Sequence, residues 1–181
     1  MKISILVDGR TEQAFKIHLL EFLRKRLGEQ MPRTDFFPCG GRIYKGEKLR
    51  RTVENLLRNG KSPSDAVIAL TDVYTATNDF TDAADAKKKM REWVGKNEKF
   101  HPHAAQHDFG AWLLPYWPDI QKLAGHKMGP PPGQPESVNH NRPPSHYISE
   151  IFKAGTARDD YSKVRDAGRI LRGKDLTIAA N

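Results

Sequence analysis

Three aspartates that each close an apolar run hold the chemical potential of this chain. Asp8 follows Ile3-Ser4-Ile5-Leu6-Val7, Asp72 follows Val67-Ile68-Ala69-Leu70-Thr71, and Asp108 follows the alternating run of residues 100–106 and His107. Carboxylates brought into one crevice repel one another unless a cation neutralises them, and hard oxygen donors select magnesium or manganese over zinc. Such an ion beside phosphate-binding surface is suited to activating water and steadying the leaving oxygen in phosphodiester cleavage. Asp8, Asp72 and Asp108 are therefore candidate metal ligands of a nuclease. Each also has a local reading. Asp8-Gly9 resembles an ordinary surface turn, and Asp108 stands where a helix N-cap would.

For the three acids to meet, the apolar runs must be neighbouring parallel strands. Residues 3–7 and 65–72 read as buried strands, 34–38 and 100–106 as shorter ones, and helical patterns separate them. One helix is expected over 12–27, with Phe15, Leu19, Phe22, Leu23 and Leu27 on its apolar face and Thr11 as its cap. A second carries Leu49, Val53, Leu56 and Leu57, and a third starts at Thr81 or Asp82 and stops at Gly95. Right-handed crossovers then present every strand's carboxyl end on one edge, where ligands of open α/β sheets bind. The expected fold class is α/β, a three-layer α/β/α sandwich with a mostly parallel central sheet and a helical C-terminal extension. Residues 1–114 would form the core, the Pro- and Gly-rich 115–144 an irregular loop or lid, and 145–181 two or three short helices.

The partner is suggested by charge. Lysine and arginine exceed aspartate and glutamate by eight, and the pI is near 9.6. That favours an anionic partner, although a basic solvated surface is the plainer alternative. The Gly40-Gly41-Arg42 turn and the cluster Lys45, Lys48, Arg50, Arg51 and Arg58 are the candidate phosphate contacts, joined by Arg10 beside the first acid. His101, His103 and His107 offer a weaker zinc reading without cysteine partners. His107 also suits phosphate contact or proton transfer beside Asp108, or a plain structural role. The single cysteine, Cys39, forms no internal disulfide and reads as a small buried residue of a reducing compartment. The apolar run at the start is too short for a signal peptide, and no run is long enough to span a bilayer. A cytoplasmic protein with no membrane partner is expected.

Ile5-Leu6-Val7-Asp8-Gly9-Arg10-Thr11-Glu12, Ala69-Leu70-Thr71-Asp72-Val73-Tyr74 and His107-Asp108-Phe109-Gly110-Ala111-Trp112-Leu113-Leu114 together resemble the successive motifs of a Toprim-like family, domain of unknown function 4276. Pro144-Ser145 and Tyr161-Ser162-Lys163-Val164 extend the resemblance over nearly the whole chain. It implies a Toprim fold, as in primases, topoisomerases and nucleases of the overcoming-lysogenization-defect (OLD) type, with acids after the first and third strands around magnesium. It also implies a role in prokaryotic anti-phage defence beside an ABC-type ATPase. The sequence departs from the pattern in three places. Asp8 replaces the usual glutamate, Tyr74 stands where Toprim domains carry a second aspartate, and Gly110 replaces an acid of the family's His-Glu-Phe-Glu. A further helix beyond Asn181 would be expected from the family.

The leading expectation is a magnesium- or manganese-dependent hydrolase of DNA or RNA. Asp8 and Asp72 would be ligands, Asp108 a ligand or water-orienting base, Glu12 an acid behind them, and His107 a neighbour of the reacting phosphate. The alternative is a non-catalytic Toprim-like module that binds nucleic acid or its ATPase partner. A receiver-type phosphoacceptor domain ranks third, because it needs paired acids after the first strand and a lysine after the fifth. Homo-oligomerisation is left open.

Overall fold

The computed structural model describes residues 1–181 except 59–61, 74–78, 106, 136–141, 157–158 and 181, and leaves out the side chains of Arg10, Gln13, Ala14, Ala179 and Ala180. Strands β1 (Lys2–Val7), β2 (Arg33–Pro38), β3 (Ala66–Asp72) and β4 (Phe100–Ala105) alternate with helices α1 (Arg10–Leu27), α2 (Gly46–Arg58) and α3 (Ala83–Val94). The strands form one sheet in the order β2-β1-β3-β4. All three pairings are parallel, with Val7 opposite Leu70 and Asp72 opposite Ala105. This is the parallel α/β architecture expected from the alternation of patterns.

The local causes are visible residue by residue. Four consecutive residues of β1, Ser4 to Val7, are buried, as both faces of a covered parallel strand must be. Asp82 caps α3 by accepting from the Asp85 N–H, and Gly95 ends the helix with φ 80°. The start of α1 differs from expectation. Gly9 is its N-cap and Thr11 lies inside the helix, because Glu12 turns back to accept from the Gly9 N–H at 2.9 Å.

Two cores flank the sheet. On one face α2 and α3 pack together, burying Leu49, Val53, Ala86 and Met90 against Leu6, Val67 and Ala69. Each of the leucine, valine and methionine side chains contributes about 1.5–3 kcal/mol. On the other face, Phe15 of α1 joins α4 (Trp117–Ala124), α5 (Pro144–Ala154) and α6 (Lys163–Leu171) in a second core that includes Leu113, Ile120, Ile148, Ile151 and Ile170. A short α7 (Thr177–Ala180) follows, so 145–181 contains three helices.

The irregular segment expected over 115–144 therefore begins as a helix. Trp117, Ile120 and Ala124 are buried along one stripe of α4, and that periodicity was masked by the surrounding prolines. The Trp117 indole N–H and the Gln121 amide both donate to the Met128 carbonyl, at 2.8 and 2.9 Å, which fastens the next few residues to α4. Two smaller corrections concern Cys39, which is only half-buried, and Leu27, which is exposed at the end of α1.

Candidate active site

The strand order reverses between β1 and β3, and that reversal opens the crevice at the carboxyl edge. Asp8 enters it one residue past β1, and Asp72 is the last residue of β3. The register brings them together directly: Asp8 Oδ2 accepts from the Thr71 hydroxyl at 2.8 Å and from the Asp72 N–H at 3.2 Å. The turn after β4 brings Asp108. Its Oδ1 accepts from the Gly110 N–H at 2.8 Å and from the Ser145 N–H at 3.3 Å.

Asp8 Oδ1 and Asp108 Oδ2 are buried without a hydrogen-bond partner. Burial pushes the Asp8 carboxyl up to about 7, against the hydrogen bonds from Thr71 and Asp72 and with a further push from Glu12. Asp72 rises to about 8, first through burial and then through the charges of Asp8, Asp108 and Glu12, with Lys163 opposing them. The charges of Asp8, Asp108 and Glu12 thus all bear on Asp72. A hard cation suits these oxygen donors chemically, because it would supply the partner that Asp8 Oδ1 lacks and relieve the repulsion. Among the described residues, no three His, Cys, Asp or Glu side chains are grouped so that they could hold one ion between them as they stand.

Glu12, Thr71 and Asp72 line the crevice with Phe109 and Trp112. Phe15, Phe109 and Trp112 form a mutually packed aromatic triad with ring centroids 5.2–5.5 Å apart, which ties α1 to the Asp108 turn. Of the two roles left open by the sequence, Asp108 Oδ1 takes the cap, holding the turn and the start of α5, while Oδ2 is buried beside Lys163.

His107 is buried with a left-handed backbone, φ 67°, a conformation uncommon outside glycine and often found at functional turns. His101 and His103 lie exposed on the body of β4, away from the carboxyl edge, with no third zinc ligand among the described residues. The basic residues divide. Arg42 and Lys48 are exposed, with the Lys48 ammonium 3.8 Å above the Tyr44 ring. Lys45 is paired with Asp79, and Arg50 and Arg51 both clasp Glu47. Those last three are half-neutralised by neighbours. The Arg10 side chain and Tyr74 lie outside the described residues.

Sequence reasoning gave no role to Lys163. Its ammonium, at the first turn of α6, stands 3.5 Å from the buried Asp108 Oδ2. Asp166, fully buried, fixes that turn by accepting from the Ser162 N–H at 2.8 Å and pairing with Arg165 and Arg169. Tyr161 is held neutral by burial and by the carboxylates of Asp108 and Asp166. The signal for both was their place in the Tyr161-Ser162-Lys163-Val164 motif. Gly110, where the family pattern carries an acid, is also explained. A Cβ there would lie 2.5 Å from the Ser145 nitrogen, so the start of α5 occupies the space of a side chain.

Residues 7–181 match the family described as domain of unknown function (DUF4276). The chain belongs to this family. No curated protein matches it. Among solved structures, this DUF4276 chain is similar in fold to the C-terminal region of the Burkholderia pseudomallei OLD protein. The two share 11% identity at a TM-score of 0.54, over 97% of this chain and 90% of that one.

Proposed function

We propose that this protein is a divalent-metal-dependent nuclease that hydrolyses phosphodiester bonds of DNA or RNA. The observation that carries the reading is the convergence of the Asp8, Asp108 and Glu12 charges on Asp72, with one oxygen each of Asp8 and Asp108 buried without a hydrogen bond. Asp8, Asp72 and the free oxygen of Asp108 would hold magnesium or manganese, which when bound supplies charge neutralisation and a more acidic water. Thr71 and the Asp72 N–H orient Asp8 so that Oδ1 faces away from them. Glu12 fixes the Asp8-Gly9 turn through the Gly9 N–H and adds negative charge behind the ligands. Lys163, anchored through Asp166, brings a positive charge to the mouth of the crevice, where it would meet a phosphate oxygen. His107 sets the direction of the chain into Asp108 through its left-handed backbone.

The likeness to the C-terminal region of a longer protein and the family motifs support a partner module. We assign that partner as an ABC-type ATPase in anti-phage defence, acting in the cytoplasm. Among the described residues no helix is long and apolar enough to cross a membrane. The test is cleavage of DNA and tRNA in magnesium or manganese, with and without the neighbouring ATPase. Asp72→Ala should abolish cleavage while leaving the circular dichroism spectrum unchanged, and undiminished cleavage by that variant would overturn the assignment. A second reading, a non-catalytic nucleic-acid-binding or partner-binding module, draws on the two N–H groups that already occupy Asp108 Oδ1. Calorimetry separates the two: this module would bind nucleic acid in a salt-sensitive way without binding magnesium.

A further inference from the structure

Trp112 belongs to two hollows at once. It lines the acid crevice with Glu12, Thr71 and Asp72. It also lines a separate open cavity of about 290 Å³, whose walls include Leu114, Pro130, Pro131, Gln134 and Ile178. We propose that this cavity is a nucleobase subsite, so that the substrate is a single-stranded or locally unpaired nucleic acid whose unstacked base lies against Trp112 beside the acids. The inference rests on the nuclease reading above.

Three features of the cavity point to a base rather than a phosphate. First, its described walls carry no charged side chain, and a phosphate needs cations or clustered N–H donors. Second, the walls are mostly apolar: an indole and proline rings can offer broad faces to a planar ligand. Third, the indole is held in place before any ligand arrives, because its ring packs 5.2 Å from Phe15 and 5.5 Å from Phe109. A stacking surface fixed in advance loses little freedom on binding.

The shared wall determines what kind of nucleic acid fits. Trp112 is a wall common to the crevice and the cavity, so a ligand that reaches both would do so with adjacent parts, a backbone phosphate and a neighbouring base. In a duplex both faces of that base are covered by its neighbours, and it would have to leave the stack to reach an indole. A single strand or a loop has no such penalty. Ile178, 60% exposed on the rim, would be covered by the incoming base or sugar. Stacking is tolerant of base identity, so the subsite selects strandedness more than sequence.

The experiment measures binding of the full chain to a fluorescent single-stranded oligonucleotide and to its duplex, at low salt without divalent cation, for wild type, Trp112→Ala, Trp112→Phe and Ile178→Glu. The subsite predicts tighter binding of the single strand than of the duplex. It also predicts a loss of roughly 5- to 150-fold for single strand in Trp112→Ala, the range of one base–aromatic stack, and near-retention in Trp112→Phe. Ile178→Glu, exposed and outside the cores, should also weaken the single strand, and it carries the test should thermal melting show that Trp112→Ala is unfolded. A 2-aminopurine in the strand should be quenched by wild type and not by Ile178→Glu. Equal or tighter duplex binding, or unchanged single-strand affinity in the folded variants, overturns the subsite and leaves the cavity to an apolar protein side chain. Nucleic acid bound and cleaved without dependence on Trp112 removes only the subsite, whereas no nucleic-acid binding at all removes the nuclease reading with it.

Discussion

Replacing Asp72 by asparagine should abolish metal-dependent activity and, in the same molecule, raise stability at alkaline pH. Asp72 is raised from 3.8 to about 8, so the folded protein binds a proton there that the unfolded chain has released above about pH 4. Stability contributed by this group therefore falls as pH rises from about 4 to about 8, and levels off beyond. At about 1.4 kcal/mol per pH unit, the folded protein with an ionised Asp72 carries an upper limit of roughly 5 kcal/mol at pH 8. Relaxation and water entry reduce such penalties in real proteins, which leaves an expected gain of about 1–3 kcal/mol for Asp72→Asn at pH 8. For a chain of this length that is a rise of roughly 3–10 °C in melting temperature. At pH 5 the folded carboxyl is protonated but the unfolded one is largely ionised, so only about a third of the pH 8 difference remains, and the two proteins should melt together only below about pH 4. The assay is scanning calorimetry of both proteins at pH 5 and pH 8, with and without magnesium. Magnesium at a hundred times its dissociation constant should stabilise wild type by about 2.7 kcal/mol at pH 8 and the variant far less. Equal melting temperatures at pH 8, or equal stabilisation of both proteins by magnesium, would refute the reasoning.

Two further outcomes follow from the packing and the charge map. Gly110→Ala drives a Cβ to 2.5 Å from the Ser145 backbone nitrogen and 2.8 Å from Asp108 Oδ1, so urea denaturation should show a loss of about 1–3 kcal/mol; a loss under 0.5 kcal/mol, the scatter of neutral surface changes, would contradict the docking of α5 on this turn. Arg42→Ala and Lys48→Ala should each weaken nucleic-acid binding and lower the slope of log affinity against log salt by about one, whereas Arg50→Ala, which releases Glu47 rather than a phosphate, should change the slope little; a uniform effect across the three would show that the basic face acts only through net charge.

Several features were legible in the sequence because their causes are local. Buried strands announce themselves as apolar runs, and β1 and β3 lie where those runs fall, each with an aspartate at its carboxyl end. The cap at Asp82 and the stop at Gly95 are properties of single residues. The net charge of +8 is a count. Parallel pairing and a shared edge for the acids followed from the alternation of strands and helices, which leaves few topologies.

What the tertiary structure alone decided depends on pairs of residues distant in the chain. The order β2-β1-β3-β4 makes Asp8 and Asp72 neighbours, and that order is set by which helix faces find a core rather than by any local pattern. Lys163 reaches Asp108 only because α6 packs on α1 and Asp166 locks its first turn. The cap that Asp108 Oδ1 gives the Ser145 N–H, and the exclusion of a side chain at Gly110, both depend on where α5 begins in space. The helix α4 was hidden for a different reason: its buried stripe of Trp117, Ile120 and Ala124 is short and flanked by prolines, so composition outweighed periodicity until the second core supplied a surface to bury it against.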